Sequence, residues 1–194
     1  IALDESEHSL LADDLVISDT SGATLALAGV MGGLASGVTA TTTDIVLESA
    51  YFTSQGIRRT SRRTALSSAS SYRFERGVDP AATVTHLEYL SSLILEVCGG
   101  QAGPIQDQVT QLPERKPVSL RLQRAIDVIG IPLTTAIVSD VFTRLGFAFT
   151  VNDGADAAKT TFVVTPPSYR FDMEIEEDLI EEVARLYGFE NIPD

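Results

Sequence analysis

The first half of the chain shows the hydrophobic pattern of short β-strands. Apolar runs at 15–18 and 23–30 flank a turn sequence at 21–22 and predict a β-hairpin. A third run, 44–51, predicts a buried strand that contains one charged residue, Glu48. Because burying an unpaired charge is costly, we expect Glu48 to lie at the strand end, in an ion pair or against a pocket.

Helical patterns follow these strands. Residues 53–63 predict an arginine-rich helix, and the serines at 67–71 predict a loop. An Asp-Pro pair at 79–80 carries the signals of a helix start. The apolar spacing beyond it predicts a helix to Cys98, whose thiol we expect to be buried, and residues 104–110 could add one more strand.

The pattern changes after 113–117, a proline-containing and charged segment that we expect to be a linker. Beyond it the pattern predicts, in chain order, a strand at 118–122, helices at 123–129 and 134–145, and a hairpin of strands at 147–151 and 161–165. A final helix completes the set. These elements are typical of a compact α+β module with a wing.

The final predicted helix is amphipathic and strongly acidic. Apolar residues recur at helical spacing from Ile175 to Tyr187, and Gly188 stands where a helix C-terminal glycine belongs. Seven carboxylates lie on or just before it: Asp172, Glu174, Glu176, Glu177, Asp178, Glu181 and Glu182.

The residues alone leave two interpretations of these acids open. A solvated face, in which first-turn acids complement the helix dipole, suits the glutamates at 174–177. Asp178, Glu181 and Glu182 stand at i, i+3 and i+4, so their like charges are expected close together on one side of the helix. A hard divalent cation, Mg²⁺ or Ca²⁺, would relieve this repulsion, with Asp172 as a candidate fourth ligand.

Composition limits the classes of function. The chain has 194 residues, of which 44% are hydrophobic, and 14 basic against 27 acidic residues give a net charge of −13. That charge argues against a mainly electrostatic binder of nucleic acid or anionic membrane. The basic residues are clustered, however, so a local anionic partner stays open. The cluster comprises Arg58, Arg59, Arg62, Arg63, Arg73 and Arg76.

The sequence shows no motif of a self-contained enzyme. The glycine-rich loop at 29–37 matches neither the phosphate-binding loop nor the dinucleotide fingerprint, and its glycines either admit a ligand to the backbone or, as we favour, make tight turns. No Cys/His set has zinc spacing, and the serines at 67–71 have no visible base. The single cysteine suits a reducing compartment, and no signal peptide or membrane span is recognisable. Because Ile1 is not an initiator methionine, we expect a piece of a longer protein.

Four motifs occur in a particular order along the chain. They are Ala-Gly-Val-Met-Gly-Gly at 28–33, Val-Leu-Glu-Ser-Ala-Tyr-Phe at 46–52, Tyr-Arg-Phe-Glu-Arg-Gly-Val-Asp-Pro at 72–80, and the stretch 167–193 that begins Pro-Ser-Tyr-Arg-Phe-Asp. In sequence and order they resemble the β subunit of bacterial phenylalanyl-tRNA synthetases.

The resemblance implies an organisation and an activity. Residues 1–112 would be the C-terminal part of the B3/B4 editing domain, a mixed α/β sheet domain, and residues 118–194 the B5 domain, whose fold is similar to winged-helix DNA-binding modules. The family's enzyme is a cytoplasmic (αβ)₂ heterotetramer that uses ATP, bound elsewhere, to attach phenylalanine to tRNA(Phe). Its B3/B4 domain hydrolyses tRNA mischarged with tyrosine. Neither DNA nor membrane is an expected partner.

The resemblance also implies site residues. Gly32, Glu48 and Ala69 would belong to the editing pocket, where Glu48 would contact the para-hydroxyl that distinguishes tyrosine from phenylalanine. A magnesium site shared with the α subunit would comprise Asp172, Asp178, Glu181 and Glu182. The family's pocket also uses an earlier stretch with a histidine that this chain lacks and that His8 is not expected to replace. We therefore expect the chain by itself neither to aminoacylate nor to edit efficiently.

Two hypotheses from other classes compete with this one. A stand-alone module could use the arginine cluster or the winged-helix-like half to bind nucleic acid, although the net charge disfavours it. Alternatively, the acidic helix could be only a docking face for another protein.

Overall fold

The computed structural model describes residues 1–192 and divides into two units, Ile1–Gln108 and Val109–Asp194. Pro193 and Asp194, the last two residues of the expected B5 domain, lie outside the described residues. Both units combine helices with a small antiparallel sheet, which confirms a mixed α and β content. No helix within residues 1–192 has both the length and the hydrophobicity needed to cross a bilayer.

The first unit begins with a three-stranded antiparallel sheet in the order β1-β2-β3. Its strands are β1, Val16–Ser18, β2, Thr24–Leu27, and β3, Met31–Gly32. Val16 pairs with Leu27, and a bulge separates Ile17 from Ser18. The predicted hairpin is therefore confirmed. Its turn is stabilised by Asp19, whose carboxylate accepts hydrogen bonds from the backbone N–H groups of Ser21 and Ala23, both at 2.9 Å.

Three helices follow in this unit: α1, Ser54–Thr64, α2, Ala69–Phe74, and α3, Thr83–Cys98. Short 3₁₀ turns lie at Leu34–Ser36 and Pro80–Ala82. The arginine-rich helix and the start signal at Asp79 are confirmed, since the Asp79 carboxylate accepts a hydrogen bond from the backbone N–H of Ala81 at 2.9 Å.

Two predicted strands of this unit are wrong. Residues 44–51 are irregular, with Val46 97% exposed, and residues 104–110 are irregular as well. Their apolar pattern is suitable for a strand, but a strand also needs a neighbour for its backbone hydrogen bonds. No strand in the described part of the chain pairs with either segment.

Two further predictions for this unit are corrected. The segment 67–71 does not form only a loop, because α2 begins at Ala69 and contains Ser70 and Ser71. Ser68 caps that helix by accepting a hydrogen bond from the backbone N–H of Ser71 at 3.0 Å, and the hydroxyl of Ser71 accepts one from the backbone N–H of Ser68. Cys98 is exposed rather than buried, because no other element covers this end of α3 in the described residues.

The second unit has a three-stranded antiparallel sheet with β6 in its centre. The strands are β4, Val118–Arg121, β5, Ala148–Asn152, and β6, Thr161–Thr165, in the order β4-β6-β5. The helices are α4, Leu122–Ile129, α5, Thr135–Arg144, and α6, Glu176–Tyr187, followed by a 3₁₀ turn at Phe189–Asn191. Every element predicted for this half is present with its predicted type.

The core of the second unit lies between its sheet and its helices. Phe142 of α5 is fully buried, and its ring centroid lies 5.6–5.9 Å from those of Phe147, Phe149 and Phe162. Aromatic pairs at these distances add to the stabilisation from buried area. On α6, the buried face fixes which acidic side chains point inward and which point outward.

Candidate functional site

The glycine-rich loop contains two glycines that the packing requires, Gly29 and Gly33, and one, Gly32, that has open space around it. A side chain at Gly33 would approach the carbonyl oxygen of Leu25 to 2.6 Å, and Gly29 has a φ of +65° with Ile57 close beside it. These two glycines are therefore required by close packing and turn geometry. Gly32 has open space where its side chain would be.

A small concavity of about 110 Å³ lies beside Gly32. Its walls are mostly apolar residues of the sheet and of the N-terminal segment, together with His8. The Nε2 atom of His8 lies 2.7 Å from the hydroxyl of Ser6, which donates to the carboxylate of Asp4 at 2.5 Å. The ring is therefore held by neighbours two and four residues away. His8 was not predicted to lie beside Gly32. The spacing of Asp4, Ser6 and His8 could have indicated that their side chains lie on a common side.

Ala69 lies close to the residues that precede Gly32. The serines on either side of it bind that loop: Ser68 donates its hydroxyl to the carbonyl of Val30 at 2.6 Å, and Ser70 donates to the carbonyl of Gly29 at 3.2 Å. The first turn of α2 is thus attached to the backbone that leads into β3.

Glu48 lies in the irregular segment before α1. Its residue surface is exposed, yet neighbouring atoms desolvate its carboxyl group enough to raise its pKa. Within residues 1–192 no hydrogen bond or ion pair ends on this carboxylate. Glu48 therefore has an acceptor group available for a ligand, although no hydrogen bond in the described residues joins it to Gly32 or Ala69.

Most of the clustered arginines are bound within the first unit. On α1, Arg63 forms an ion pair with Asp14, and Arg59 donates to the backbone carbonyl of Asp13 at 2.8 Å. The Arg63 guanidinium, the largest influence on this carboxyl, lowers the pKa of Asp14. Arg58 donates to the carbonyl of Glu75 at 2.9 Å. These contacts attach the N-terminal segment and α2 to α1, which reduces the number of guanidinium donors free to bind phosphates.

The acidic stretch of the second unit does not place its four predicted metal ligands around one point. Asp178 is turned toward the start of α6, where its carboxylate accepts hydrogen bonds from the backbone N–H groups of Glu174 at 2.7 Å and Ile175 at 2.8 Å. Such a carboxylate satisfies backbone donors that have no partner inside the helix.

Glu182 and Asp172 are brought together by Arg170. One terminal nitrogen, Nη2, donates to Asp172 at 2.7 Å and to Glu182 at 2.8 Å. Glu182 is only 5% exposed, and its second oxygen accepts from Arg185. Burial alone would raise the pKa of Glu182, but the hydrogen bonds from Arg185 and Arg170 outweigh that effect and lower it. The hydrogen bond from Arg170 likewise lowers the pKa of Asp172.

Glu181 points to a different part of the surface. It is exposed and lines a shallow groove of about 330 Å³ between α4 and α6, together with Glu177. Glu177 lies 3.5 Å from Arg124, and Glu176 pairs with Arg121 at 2.5 Å. Glu176 therefore does not belong to a merely solvated face, because its side chain is only 16% exposed.

The four carboxylates as placed do not fit a magnesium ion. A hard cation needs several oxygen ligands directed at one point. Here Asp172 and Glu182 bind guanidinium groups, Asp178 binds backbone donors, and Glu181 faces elsewhere. Among the residues that the structure describes, no group of three or more His, Cys, Asp or Glu side chains could hold a metal ion. The magnesium set stays a prediction for an assembled enzyme.

Comparison with known families covers most of the chain. Residues 1–99 match the model of the B3/4 domain, and residues 118–189 match that of the tRNA synthetase B5 domain. The chain belongs to the B3/4 domain family and carries a B5 domain. The B5 match contains the acidic helix, and the B3/4 match contains Gly32, Glu48 and Ala69.

Several curated relatives are similar over 92–100% of this chain. The phenylalanine–tRNA ligase β subunit of Cupriavidus pinatubonensis is 54% identical over 192 residues, and that of Ralstonia nicotianae 55% over 178 residues. The β subunit from Bordetella pertussis is 50% identical over all 194 residues. These matches confirm the resemblance to this subunit. The chain spans only 21–22% of the length of these relatives.

Proposed function

We propose that this chain acts as part of the β subunit of a phenylalanine–tRNA ligase, an aminoacyl-tRNA synthetase. Its B3/4 unit would contribute to the hydrolysis of tRNA mischarged with tyrosine. The observation that carries this proposal is Glu48, a partly desolvated carboxylate with no partner among the described residues, in the same unit as the open backbone at Gly32. The 50–55% identity to such β subunits supports the parent activity.

The chemistry of Glu48 suits recognition of a phenol. A carboxylate oxygen accepts a hydrogen bond from the para-hydroxyl of tyrosine, and phenylalanine offers no such donor. Partial desolvation strengthens the hydrogen bond, because water competes less for the acceptor. A site that bonds a hydroxyl discriminates strongly against an analogue without it. Gly32 would leave room for the substrate, and Ala69 would line the pocket from the start of α2.

The remaining features of the parent enzyme follow as parts of the same proposal. The chain would work with an α subunit in an (αβ)₂ heterotetramer that binds tRNA(Phe), and ATP would bind outside this chain. Magnesium dependence would belong to the assembled enzyme, and the location would be cytoplasmic. The B5 unit would adopt a winged-helix-like arrangement, for which the β5–β6 hairpin is the candidate wing.

A post-transfer editing assay tests the proposal. The variant Glu48→Ala would be introduced into a full-length β subunit that contains this sequence, co-purified with its α subunit, and supplied with tyrosyl-tRNA(Phe). We expect hydrolysis of the tyrosyl ester to fall by at least about tenfold while attachment of phenylalanine continues, because only the hydroxyl contact is removed. Glu88→Gln, an exposed glutamate on α3, is the matched control.

Unchanged tyrosyl-tRNA hydrolysis in Glu48→Ala would contradict the role of Glu48. An assembled wild-type enzyme that attaches no phenylalanine would contradict the parent activity itself. The isolated chain provides a further check. If it hydrolyses tyrosyl-tRNA and its Glu48→Ala variant does not, the pocket is complete in this chain.

The rival hypothesis, a stand-alone nucleic-acid binder, predicts a different result. Titration of the isolated chain with tRNA and duplex DNA at low and moderate salt would reveal tight binding with a steep salt dependence. We expect weak binding, since Arg58, Arg59 and Arg63 are committed to contacts within their own unit.

A further inference from the structure

We propose that Arg170, together with Arg185, supplies the positive charge that Asp172 and Glu182 require, so that this chain holds the two carboxylates without a divalent cation. Within the second unit, Arg170 would take the place that the resemblance assigns to magnesium. The proposal concerns the chain alone and does not depend on the proposed ligase function.

The geometry places a cationic atom between the two carboxylates. A single nitrogen of Arg170 lies 2.7 Å from Asp172 and 2.8 Å from Glu182, so it stands where a cation would have to be to reach both groups. The Nε atom of Arg170 binds the second oxygen of Asp172 at 2.9 Å. Arg185 binds the second oxygen of Glu182. Both oxygens of each carboxylate are therefore already paired with guanidinium donors.

Arg170 is held in this position by the backbone around it. Its own N–H donates to the carbonyl of Pro167 at 2.9 Å, which closes a turn. Arg115 fixes that turn from outside by donating to the carbonyls of Arg170 at 2.7 Å and Ser168 at 3.2 Å. The guanidinium also lies 5.9 Å from the ring centroid of Phe147. A preorganised guanidinium loses little conformational entropy when it pairs with a carboxylate.

Magnesium would meet two obstacles here. It requires near-octahedral coordination by oxygen and usually keeps several water ligands. Glu182 is 5% exposed, so its carboxylate has little room for a hydrated ion. The ion would also have to displace Arg170, which would leave that half-buried cation without its partners.

Metal dependence of the wild-type chain provides the first test. The purified 194-residue chain would be melted in Mg²⁺ and in EDTA at equal ionic strength, and its metal content measured after gel filtration. We expect equal Tm values and no bound metal, because a ligand that binds only the folded state would raise Tm. A Mg²⁺-dependent rise in Tm that Glu182→Gln abolishes would overturn the proposal.

A double-mutant cycle provides the second test. Arg170→Met alone should lower Tm by about 5 °C or more, because it leaves Glu182 buried with one partner fewer. Adding Glu182→Gln to it should restore part of that loss, since no unpaired charge is then buried. Arg144→Met is the matched control, because the one ion pair of this exposed arginine among residues 1–192 is with Asp140 at 3.7 Å.

The cycle remains decisive if Arg170→Met fails to fold, because the double variant should then fold and melt cooperatively. Two results would overturn the proposal. One is an Arg170→Met chain as stable as Arg144→Met. The other is a double variant whose loss equals the sum of the two single losses, which would mean that the two residues do not interact.

Discussion

The two units of this chain bury their apolar residues to very different extents. In the described part of the second unit, 18 hydrophobic residues form one buried cluster, whereas the main buried cluster of the longer first unit has four, namely Leu27, Val30, Ile57 and Leu66. Helix α3 makes the contrast clear, because it has 16 residues, many of them apolar, and none of them is buried. An apolar pattern thus becomes a core only where another element supplies the facing surface.

The contrast extends to electrostatics. In the second unit, the buried Glu182 is paired with Arg170 and Arg185 inside a packed module. In the first unit, Asp14 has a side chain only 3% exposed, and its contacts with Arg63 and Thr60 attach an N-terminal segment whose leucines are exposed. We therefore expect packing to dominate the stability of the second unit, and a few polar contacts to matter more in the first.

The largest effect is expected for Phe142→Ala in the second unit. Phe142 is fully buried and contacts three other aromatic rings, so its removal should lower the free energy of unfolding by about 3–5 kcal/mol. Chemical denaturation, with hydrogen exchange to assign the loss to this unit, measures the effect.

Two substitutions in the first unit complete that test. Leu66→Ala should cost less, about 2 kcal/mol, because its cluster is small and can collapse around the cavity. Tyr89→Ala, 66% exposed on α3, should change the free energy of unfolding by no more than about 0.5 kcal/mol. If Leu66→Ala costs as much as Phe142→Ala, the contrast in packing is wrong.

The next effect concerns Asp14. Asp14→Asn removes the charge that holds Arg63 and weakens the hydrogen bond from the backbone N–H of Leu11, so we expect a loss of about 1.5–3 kcal/mol at neutral pH. Asp13→Asn is the matched control, because its carboxylate is 78% exposed and lies 3.5 Å from Arg59. Its loss should stay below about 1 kcal/mol. Equal losses in both variants would contradict a special role for Asp14.

The pH dependence of stability tests whether the charge of Asp14 causes this loss. The pKa of Asp14 is lower in the folded chain than its ordinary value of 3.8, so its contribution is present above that value. The difference in stability between wild type and Asp14→Asn should therefore be complete at neutral pH. It should shrink as the pH falls through the lowered pKa. A difference that is independent of pH would mean that packing, and not charge, causes the loss.

A smaller effect is expected for the cap of α2. Ser68→Ala removes both the hydroxyl that accepts from Ser71 and the hydrogen bond to the carbonyl of Val30, so a loss of about 1–2 kcal/mol is expected. Ser70→Ala removes only one longer, exposed hydrogen bond, and its cost should be about 0.5 kcal/mol. Thermal melts of the two variants compare them directly. If Ser70→Ala costs as much, the cap does not stabilise α2 as described.

The two units also differ in how far the sequence predicts them. In the second unit, every predicted element is present, because local patterns such as the apolar run at 162–164 meet a partner strand close in the chain. In the first unit, the strand predicted at 44–51 needs a partner strand that the described residues do not supply. For the acidic helix, the crowding that the spacing predicts is wrong, because Asp178 turns to the start of α6 and Glu181 lines a groove. The spacing also could not show that Arg170 reaches Glu182 from twelve residues away, since the turn at 167–170 brings it there. Sequence spacing defines a helix face, whereas the partners of its charges depend on the fold.

The smallest expected effect has the opposite sign and lies at the end of α1. Ala65 has a φ of +55°, in the left-handed region, and it is exposed. Glycine removes the steric cost of about 1–2 kcal/mol that a Cβ atom causes there. It also makes the unfolded chain more flexible, which lowers the free energy of unfolding by about 0.4–1 kcal/mol. Ala65→Gly should therefore stabilise the first unit by about 0.5–1 kcal/mol, measurable by urea denaturation. Ala82→Gly, at a φ of −97°, gains no such relief and should destabilise instead. A loss of stability in both variants would mean that chain entropy outweighs backbone strain at the end of α1.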